Sequence, residues 1–202
     1  MIVPDYYCSI ITRNMASNKL HFRLATIEDA VPLERLINIA FRNDPTTEVF
    51  LSADHEGIDV TSVPQITSKI TQKDSTLLVG TDSNGEMVAH CSVRKLDDNR
   101  SWFGMLAIDV DSQKRGLGSQ VLDYAEEYVR REWGAKRMEF DVVCTRAELI
   151  AWYKNRGYVA TGETTPFPYA YHGDWEGVLR DDLHLVIMGK NLDEISITTG
   201  SK

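Results

Sequence analysis

The sequence has little cysteine, no long apolar run and no surplus of positive charge, and each shortage closes a class of function. Its three cysteines, Cys8, Cys91 and Cys144, lie far apart and form no Cys-x-x-Cys pair. So sparse and odd a set argues against a disulfide framework and fits a reduced, cytoplasmic protein. No apolar stretch approaches the roughly 18 to 20 residues needed to span a bilayer, so no membrane partner is expected. The opening run MIVPDYYCSIITRNMASNK holds Pro4 and Asp5 and no basic segment ahead of an apolar core. It does not read as a secretory leader. The five histidines, His21, His55, His90, His172 and His184, show no ligand spacing, and no metal is expected. A formal net charge of −8 speaks against non-specific nucleic-acid binding and leaves room for a cationic partner.

What is present describes one ordinary domain. The chain has 202 residues, 43% apolar and 26% charged, enough for a sizeable core. We divide it into an N-terminal extension (1–18), a main domain (19–190) and a polar C-terminal tail (191–202). Within the extension, Tyr6 to Ile11 suits either a short strand or a surface segment. Leu20 to Leu24 alternates as a strand. Thr26 and Asp29 have capping-box spacing, and Ile27, Val31, Ile37, Ala40 and Phe41 fit one helical face. Pro32 sits too deep for the first turn of a helix that starts at Ile27, so a kink or a restart is expected there. After a second helical piece and a polar loop, another helix runs from about Pro64 to Gln72.

Thr76 to Thr81, Met87 to Lys95 and Trp102 to Asp109 form an antiparallel meander, its first turn made by Ser83-Asn84-Gly85-Glu86. A helix from Gly116 to about Glu132 carries Leu117, Val121, Ala125, Tyr128 and Val129 on one face and stops at Gly134. Arg137 to Val143 alternates as a strand. Thr145 and Glu148 have capping-box spacing ahead of a short helix that Gly157 ends. Tyr158 to Thr161 and Leu183 to Met188 are the last strands, joined by a long aromatic loop, Thr164 to Arg180. The strand–helix–strand unit in the middle requires at least one parallel crossover in a mixed sheet.

The stretch Ser101 to Gln120 organises the rest: a strand, then a turn with Gly116-Leu117-Gly118, then a helix. Such a turn lets the backbone approach a phosphate closely, and the helix N-terminus supplies unpaired N–H groups. It is not a Walker loop, since G-x-x-x-x-G-K-[ST] does not occur. It is not a dinucleotide fingerprint either, because Val121 stands where the third glycine belongs. What remains is Gln113-x-x-Gly116-x-Gly118.

This stretch resembles motif A of the GCN5-related N-acetyltransferases, [R/Q]-x-x-G-x-[G/A]. The segment Trp152-Tyr153-Lys154-Asn155-Arg156-Gly157-Tyr158 is similar to a second family motif, and the order of elements from about Leu20 to Lys190 matches that fold. The resemblance implies an α/β (α+β) domain with a mixed, mostly antiparallel central sheet, a splayed pair of strands and helices on both faces. It implies acetyl-CoA as cosubstrate. Backbone groups from Gln113 to Ser119, with Lys114, Arg115, Gly116, Leu117 and Gly118 between, would cradle its pyrophosphate. Leu106, Ala107 and Ile108 would offer a free strand edge to pantetheine and an oxyanion donor. Two positions depart from the family: Val110 stands where proline is frequent, and Arg146 where asparagine is frequent, so asparagine contacts do not carry over.

Acetyl transfer to an amine needs a neutral nucleophile, an oxyanion donor and a proton for the leaving thiolate. Tyr153 matches the family's general acid; a phenol with a reference pKa near 10 holds its proton at neutral pH. The base is open among Glu139, Asp141, His90, Glu163 and His172. Phe167, Tyr169 and Tyr171, with Trp175, Asp174 and Glu176, place aromatics and carboxylates in the late loop, which suits an apolar or cationic amine. Phe41 and Arg42 would form the opposite wall of the acceptor site. The expectation is an acetyl-CoA-dependent N-acetyltransferase acting on a small or amino-acid-like amine by direct attack in a ternary complex, as monomer or homodimer. Two alternatives stand beside it: a non-catalytic acyl-CoA-binding module, and a protein or peptide N-acetyltransferase.

Overall fold

A computed structural model of the chain describes residues 19–44, 60–167 and 181–193. The N-terminal extension, the polar loop between the first helices, the late loop from residue 168 to 180 and the tail from residue 194 lie outside these. The elements run β1 (His21–Leu24), a 3-10 turn (Ile27–Asp29), α1 (Ala30–Arg42), α2 (Val63–Thr71), β2 (Ser75–Thr81), β3 (Met87–Lys95) and β4 (Arg100–Ile108). After a second 3-10 turn (Val110–Ser112) come α3 (Leu117–Trp133), β5 (Arg137–Val143), α4 (Ala147–Lys154), β6 (Val159–Pro166) and β7 (His184–Asn191). The strands form one sheet in the order β1-β2-β3-β4-β5-β7-β6, its described pairs antiparallel except for β4 and β5. The mixed, mostly antiparallel sheet is therefore as expected, with α3 as the parallel crossover.

Strand alternation sends side chains to two helical layers. Cys91 and Val93 on β3, Phe103 on β4 and Met138, Phe140 and Val142 on β5 pack with Leu117, Val121, Leu122, Ala125 and Val129 of α3. Leu77 and Val79 on β2 and Ala107 on β4 pack with Leu33, Leu36, Ile37 and Ala40 of α1 and Ile66 of α2. Each fully buried Leu or Ile contributes about 1.5–3 kcal/mol relative to exposure. The α3 stripe matches its sequence reading.

The α1 stripe matches in its second half, where Ile37 and Ala40 are buried and Phe41 packs against them, but not at its start. Ile27 and Val31 are 55% and 63% exposed, while Ala30, Leu33 and Leu36 turn inward. The reason is the restart anticipated at Pro32. The 3-10 turn ends at Asp29, α1 begins at Ala30, and the proline falls within the first α-helical turn, where backbone N–H groups have no intrahelical partner. Asp29 holds this corner: its Oδ2 accepts from the Thr26 N–H at 2.8 Å, and its two oxygens accept from the Arg23 guanidinium at 2.6 and 2.8 Å. The Arg23 hydrogen bonds keep the Asp29 carboxyl below the usual carboxylate range. α2 is opened by Ser62, whose N–H donates to Gln65 Oε1 at 2.9 Å. It is tied to α1 by Asn38, which exchanges two hydrogen bonds with the backbone of Thr61.

Three further readings need correction. Thr145 and Glu148 form no capping box: the N-cap of α4 is Arg146, and the buried Thr145 hydroxyl has no partner among the described residues. β6 runs to Pro166, into the segment read as loop, after a bulge between Ala160 and Thr164. β7 extends to Asn191, one residue into the segment read as tail.

His90 is fully buried on β3, facing the α1–α2 layer opposite Val79 and Ala107. Its Nδ1 lies 3.0 Å from the Leu78 carbonyl and so donates to it, while Nε2 has no partner among the described residues. Burial lowers its pKa to about 4; the Leu78 carbonyl opposes the shift, and Lys69 adds to it. An unfolded histidine takes up a proton below about 6.5, so the folded state loses stability as pH falls from there through about 4. The loss amounts to about 3 kcal/mol at most. Urea midpoints measured at neutral and mildly acidic pH should therefore fall less in His90→Gln than in the parent. Equal falls would mean the acid sensitivity lies elsewhere.

Candidate active site

The sheet splits beside its parallel pair. β4 and β5 are in register only at Arg100, Ser101 and Trp102, opposite Arg137, Met138 and Glu139. Past Trp102 the strands part. The cause lies in β4, where His90 pairs with Ala107 but Ser92 pairs with Gly104, so three steps on β4 match two on β3. Met105 sits in this bulge with φ of 52°, a left-handed conformation that costs a non-glycine residue about 1–2 kcal/mol. The bend carries residues 103–108 away from β5 and leaves that edge without strand partners among the described residues. A cavity of about 710 Å³ opens in the split, between the end of α1, β4, the start of α3, β5 and α4.

The turn after β4 closes one end of this cavity. The Asp109 N–H donates to the Val88 carbonyl at 2.8 Å, and Lys114 and Gly116 adopt φ of 61° and 75°. Alternating left-handed residues turn successive N–H groups toward one concave side, and the first turn of α3 adds its unpaired N–H groups. Such a cradle fits a pyrophosphate. Of the residues expected to hold the cosubstrate, Leu106, Ile108, Gln113, Lys114, Gly116, Leu117, Gly118 and Ser119 line the cavity. Ala107 points instead into the α1–α2 core, and Arg115 is exposed, donating to the Asp111 carbonyl at 3.2 Å.

Arg156 was not singled out from the sequence. Its guanidinium stacks over Trp152 at 4.3 Å and donates to Ser119 Oγ, while its buried Nε has no partner among the described residues. It sets a positive charge beside the phosphate turn. The four-residue spacing of Trp152 and Arg156 is the signal that could have found it.

Tyr153 projects from α4 into the wall of the cavity and is 5% exposed. Its ring packs on Phe140 at 4.0 Å and on Trp152 at 4.7 Å, and Tyr158 lies behind it at 5.8 Å. Tyr158 is pinned in turn, donating to Glu126 Oε1 at 3.0 Å, while Lys190 donates to Glu126 Oε2 at 2.6 Å. Burial pushes the Tyr153 phenol well above its ordinary pKa, outweighing the nearby Arg146, so the group stays protonated at neutral pH.

The candidate bases are placed very differently. Glu139 accepts from Arg137 at 2.6 Å and Arg100 at 3.5 Å at the closed end of the split. His90 is buried in the α1–α2 core, Glu163 stands exposed on β6, and His172 lies outside the described residues. Of the described candidates, Asp141 alone lines the cavity. Partial loss of hydration raises its carboxyl above the usual range, against smaller opposing effects from its own backbone and from Arg94. Phe41 lines the cavity at the end of α1, whereas Phe167 is buried with Leu183, against Val143, Cys144 and Leu185. Tyr169 and Tyr171 lie outside the described residues. Arg146, at the family's asparagine position, also lines the cavity and pairs with Asp44 across its mouth.

A strand bulged away from its parallel neighbour, a glycine turn at the helix N-terminus beside the gap, and a buried tyrosine across it share one cavity suited to an extended, phosphate-bearing ligand. The chain belongs to the acetyltransferase (GNAT) family, whose model matches residues 36–158. It is accordingly an N-acetyltransferase that uses acetyl-CoA. No curated protein matches the sequence significantly. Among solved structures, the chain is similar to PaiA N-acetyltransferase from Thermoplasma acidophilum in complex with coenzyme A, at 12% identity and a TM-score of 0.64 over 86% of this chain and 99% of that one. It is similar to the ribosomal-protein-S18-alanine N-acetyltransferase from Escherichia coli at 17% identity and 0.62, over 89% and 98%. A spermidine N-acetyltransferase SpeG chimera from Vibrio cholerae and hSSAT matches at 13% identity and 0.63, over 86% and 95%. These likenesses speak to the fold. No helix among the described residues is long and apolar enough to cross a membrane.

Proposed function

We propose that this chain acetylates the amine of a small molecule by direct attack on acetyl-CoA in a ternary complex. The observation that carries the reading is the split between β4 and β5. It brings the phosphate turn, the free edge of β4, Tyr153 and Asp141 onto one cavity.

In this reading the turn from Gln113 to Ser119 holds the pyrophosphate, helped by Lys114 and Arg156, and the backbone of Leu106 to Ile108 receives pantetheine. An N–H of that edge meets the developing oxyanion. Asp141 takes the proton of the incoming ammonium. Its raised pKa brings it nearer the working pH than an ordinary carboxylate, which improves a general base. Tyr153 gives a proton to the departing thiolate. Attack forms the C–N bond, collapse of the tetrahedral intermediate breaks the C–S bond, and the products are an N-acetyl amine and coenzyme A. Phe41 forms one wall of the acceptor site, and we also assign acceptor contacts to Phe167, Tyr169 and Tyr171.

The test is free-thiol release from acetyl-CoA against a panel of amines, amino acids and peptides. Turnover restricted to small amines supports the reading. Turnover of peptides alone makes this a protein N-acetyltransferase, and acetyl-CoA binding without turnover makes it a binding module. Asp141→Asn is expected to lower kcat/KM by about 100-fold and to remove the acid limb of its pH profile. An unchanged profile would assign the base elsewhere.

A further inference from the structure

On the face of the sheet opposite α3, Lys69 and the exposed Arg94 form no close ion pair among the described residues, although the charge of Arg94 reaches Asp141. Alternation places His90, Ser92 and Arg94 of β3 on the face covered by α1 and α2. Arg94 opposes Trp102 on β4, which opposes Glu139 on β5. One row on, Ser92 opposes Gly104, and there the sheet opens. Asp141, two residues after Glu139 and so on the same face, stands on the far bank of the opening.

Lys69 reaches this face from the last turn of α2. It is half-buried, and among the described residues its ammonium has one hydrogen-bond partner, the Met105 thioether, at 2.9 Å. Met105 and Gly104 line the cavity. Burial lowers the Lys69 pKa, and the charge of Arg94 adds to the effect. Neither Lys69 nor Arg94 has a carboxylate within ion-pair distance among the described residues, whereas Arg23, Lys95, Arg100, Arg137 and Lys190 all do. A half-buried ammonium with no anion, beside a second cation, is an incomplete arrangement.

We infer that Lys69 and Arg94 form the anion-binding half of the acceptor site, so that the acceptor is an amine that also carries a carboxylate, as an amino acid does. The inference rests on the transferase reading above. The anion is not a phosphate of the donor: the phosphate turn lies beyond the other end of β4, at α3, in the opposite layer. Geometry favours a compact zwitterion. Two strand spacings of about 5 Å separate the backbones of Arg94 and Glu139, and Asp141 lies two residues further on, across the opening. An acceptor between Arg94 and Asp141 offers its carboxylate to Lys69 and Arg94 and its ammonium to Asp141. Gly104 leaves the intervening floor clear: even a Cβ at that position would meet nothing closer than Ser92 Oγ, at 3.7 Å. A polyamine, with no anion to offer, would meet two unpaired cations instead.

The experiment compares the standard L-amino acids with their α-carboxamides as acceptors, by thiol release, in the parent and in Lys69→Met and Arg94→Gln. Binding of acetyl-CoA is measured in parallel. The parent should favour the best carboxylate over its amide by roughly 100-fold in kcat/KM. Each variant should raise KM for that carboxylate by about tenfold or more, with acetyl-CoA affinity unchanged, and shrink the preference over the amide. Arg94→Lys should restore part of it. Equal use of amides, failure to use any carboxylate-bearing amine while other amines react, or a preference that survives both variants overturns the inference and leaves the transferase reading standing. Failure of the parent to bind acetyl-CoA overturns both.

Discussion

Replacing Tyr153 by phenylalanine is expected to cut kcat by roughly 100-fold or more, while acetyl-CoA affinity changes little. The substitution removes one oxygen and keeps the ring, so the packing on Phe140, Trp152 and Tyr158 survives. What is lost is a proton donor held protonated by burial and lining the cavity. A coenzyme A thiolate leaves poorly without a proton, and the effect should shrink with an acyl donor whose leaving group is a weaker base. Steady-state rates with acetyl-CoA and with an activated thioester would show this. An unchanged rate with both donors would take Tyr153 out of the chemistry.

Gly118→Trp should abolish acetyl-CoA binding, raising Kd by at least about 100-fold, whereas Gly118→Ala should bind almost normally. A Cβ at this position would sit 3.7 Å from the Trp152 ring, an ordinary contact. Alanine therefore fits, and as a better helix former it stabilises α3 by up to about 1 kcal/mol. An indole there would run into Trp152 and Leu106, both of which line the cavity. Isothermal titration with acetyl-CoA, beside thermal melts, separates blocked binding from misfolding. Tight binding by a folded Gly118→Trp protein would remove the turn from the cosubstrate site.

The parts of the site that were legible in the sequence are those whose signals are local. Gln113, Gly116 and Gly118 lie within six residues, between an alternating strand and a helix with a regular apolar stripe ending at Gly134. Tyr153 was legible for a similar reason, as part of a short contiguous segment. The errors arose where a local pattern competed with packing. Thr145 and Glu148 have the spacing of a cap, but the backbone enters α4 one residue later, at Arg146. Ile27 and Val31 have helical spacing, but the 3-10 turn rotates the start of α1 and leaves both outside. The pairing of Arg146 with Asp44 joins residues 102 apart in the chain, and no local pattern encodes it. Asp141 was one carboxylate among several; only the opening of the sheet distinguishes it from Glu139, two residues earlier on the same strand and already paired with arginines.

The bulge at Met105 also changes the parity of its strand. Toward the closed end, Phe103 faces α3, and Trp102 and Gly104 face the other way. Beyond the bulge, Leu106 and Ile108 pack on the α3 side, and Ala107 faces α1 and α2. One extra residue thus reverses which numbers, odd or even, belong to which layer. The segment from residue 104 to 120 is for that reason a unit in a stronger sense than its motif suggests. Deleting Met105 would leave Phe103, Leu106 and Ile108 alternating regularly on the α3 side with Gly104 and Ala107 opposite, so the layers would survive, but the strand would lose the bend that parts it from β5, however intact the glycine turn remained.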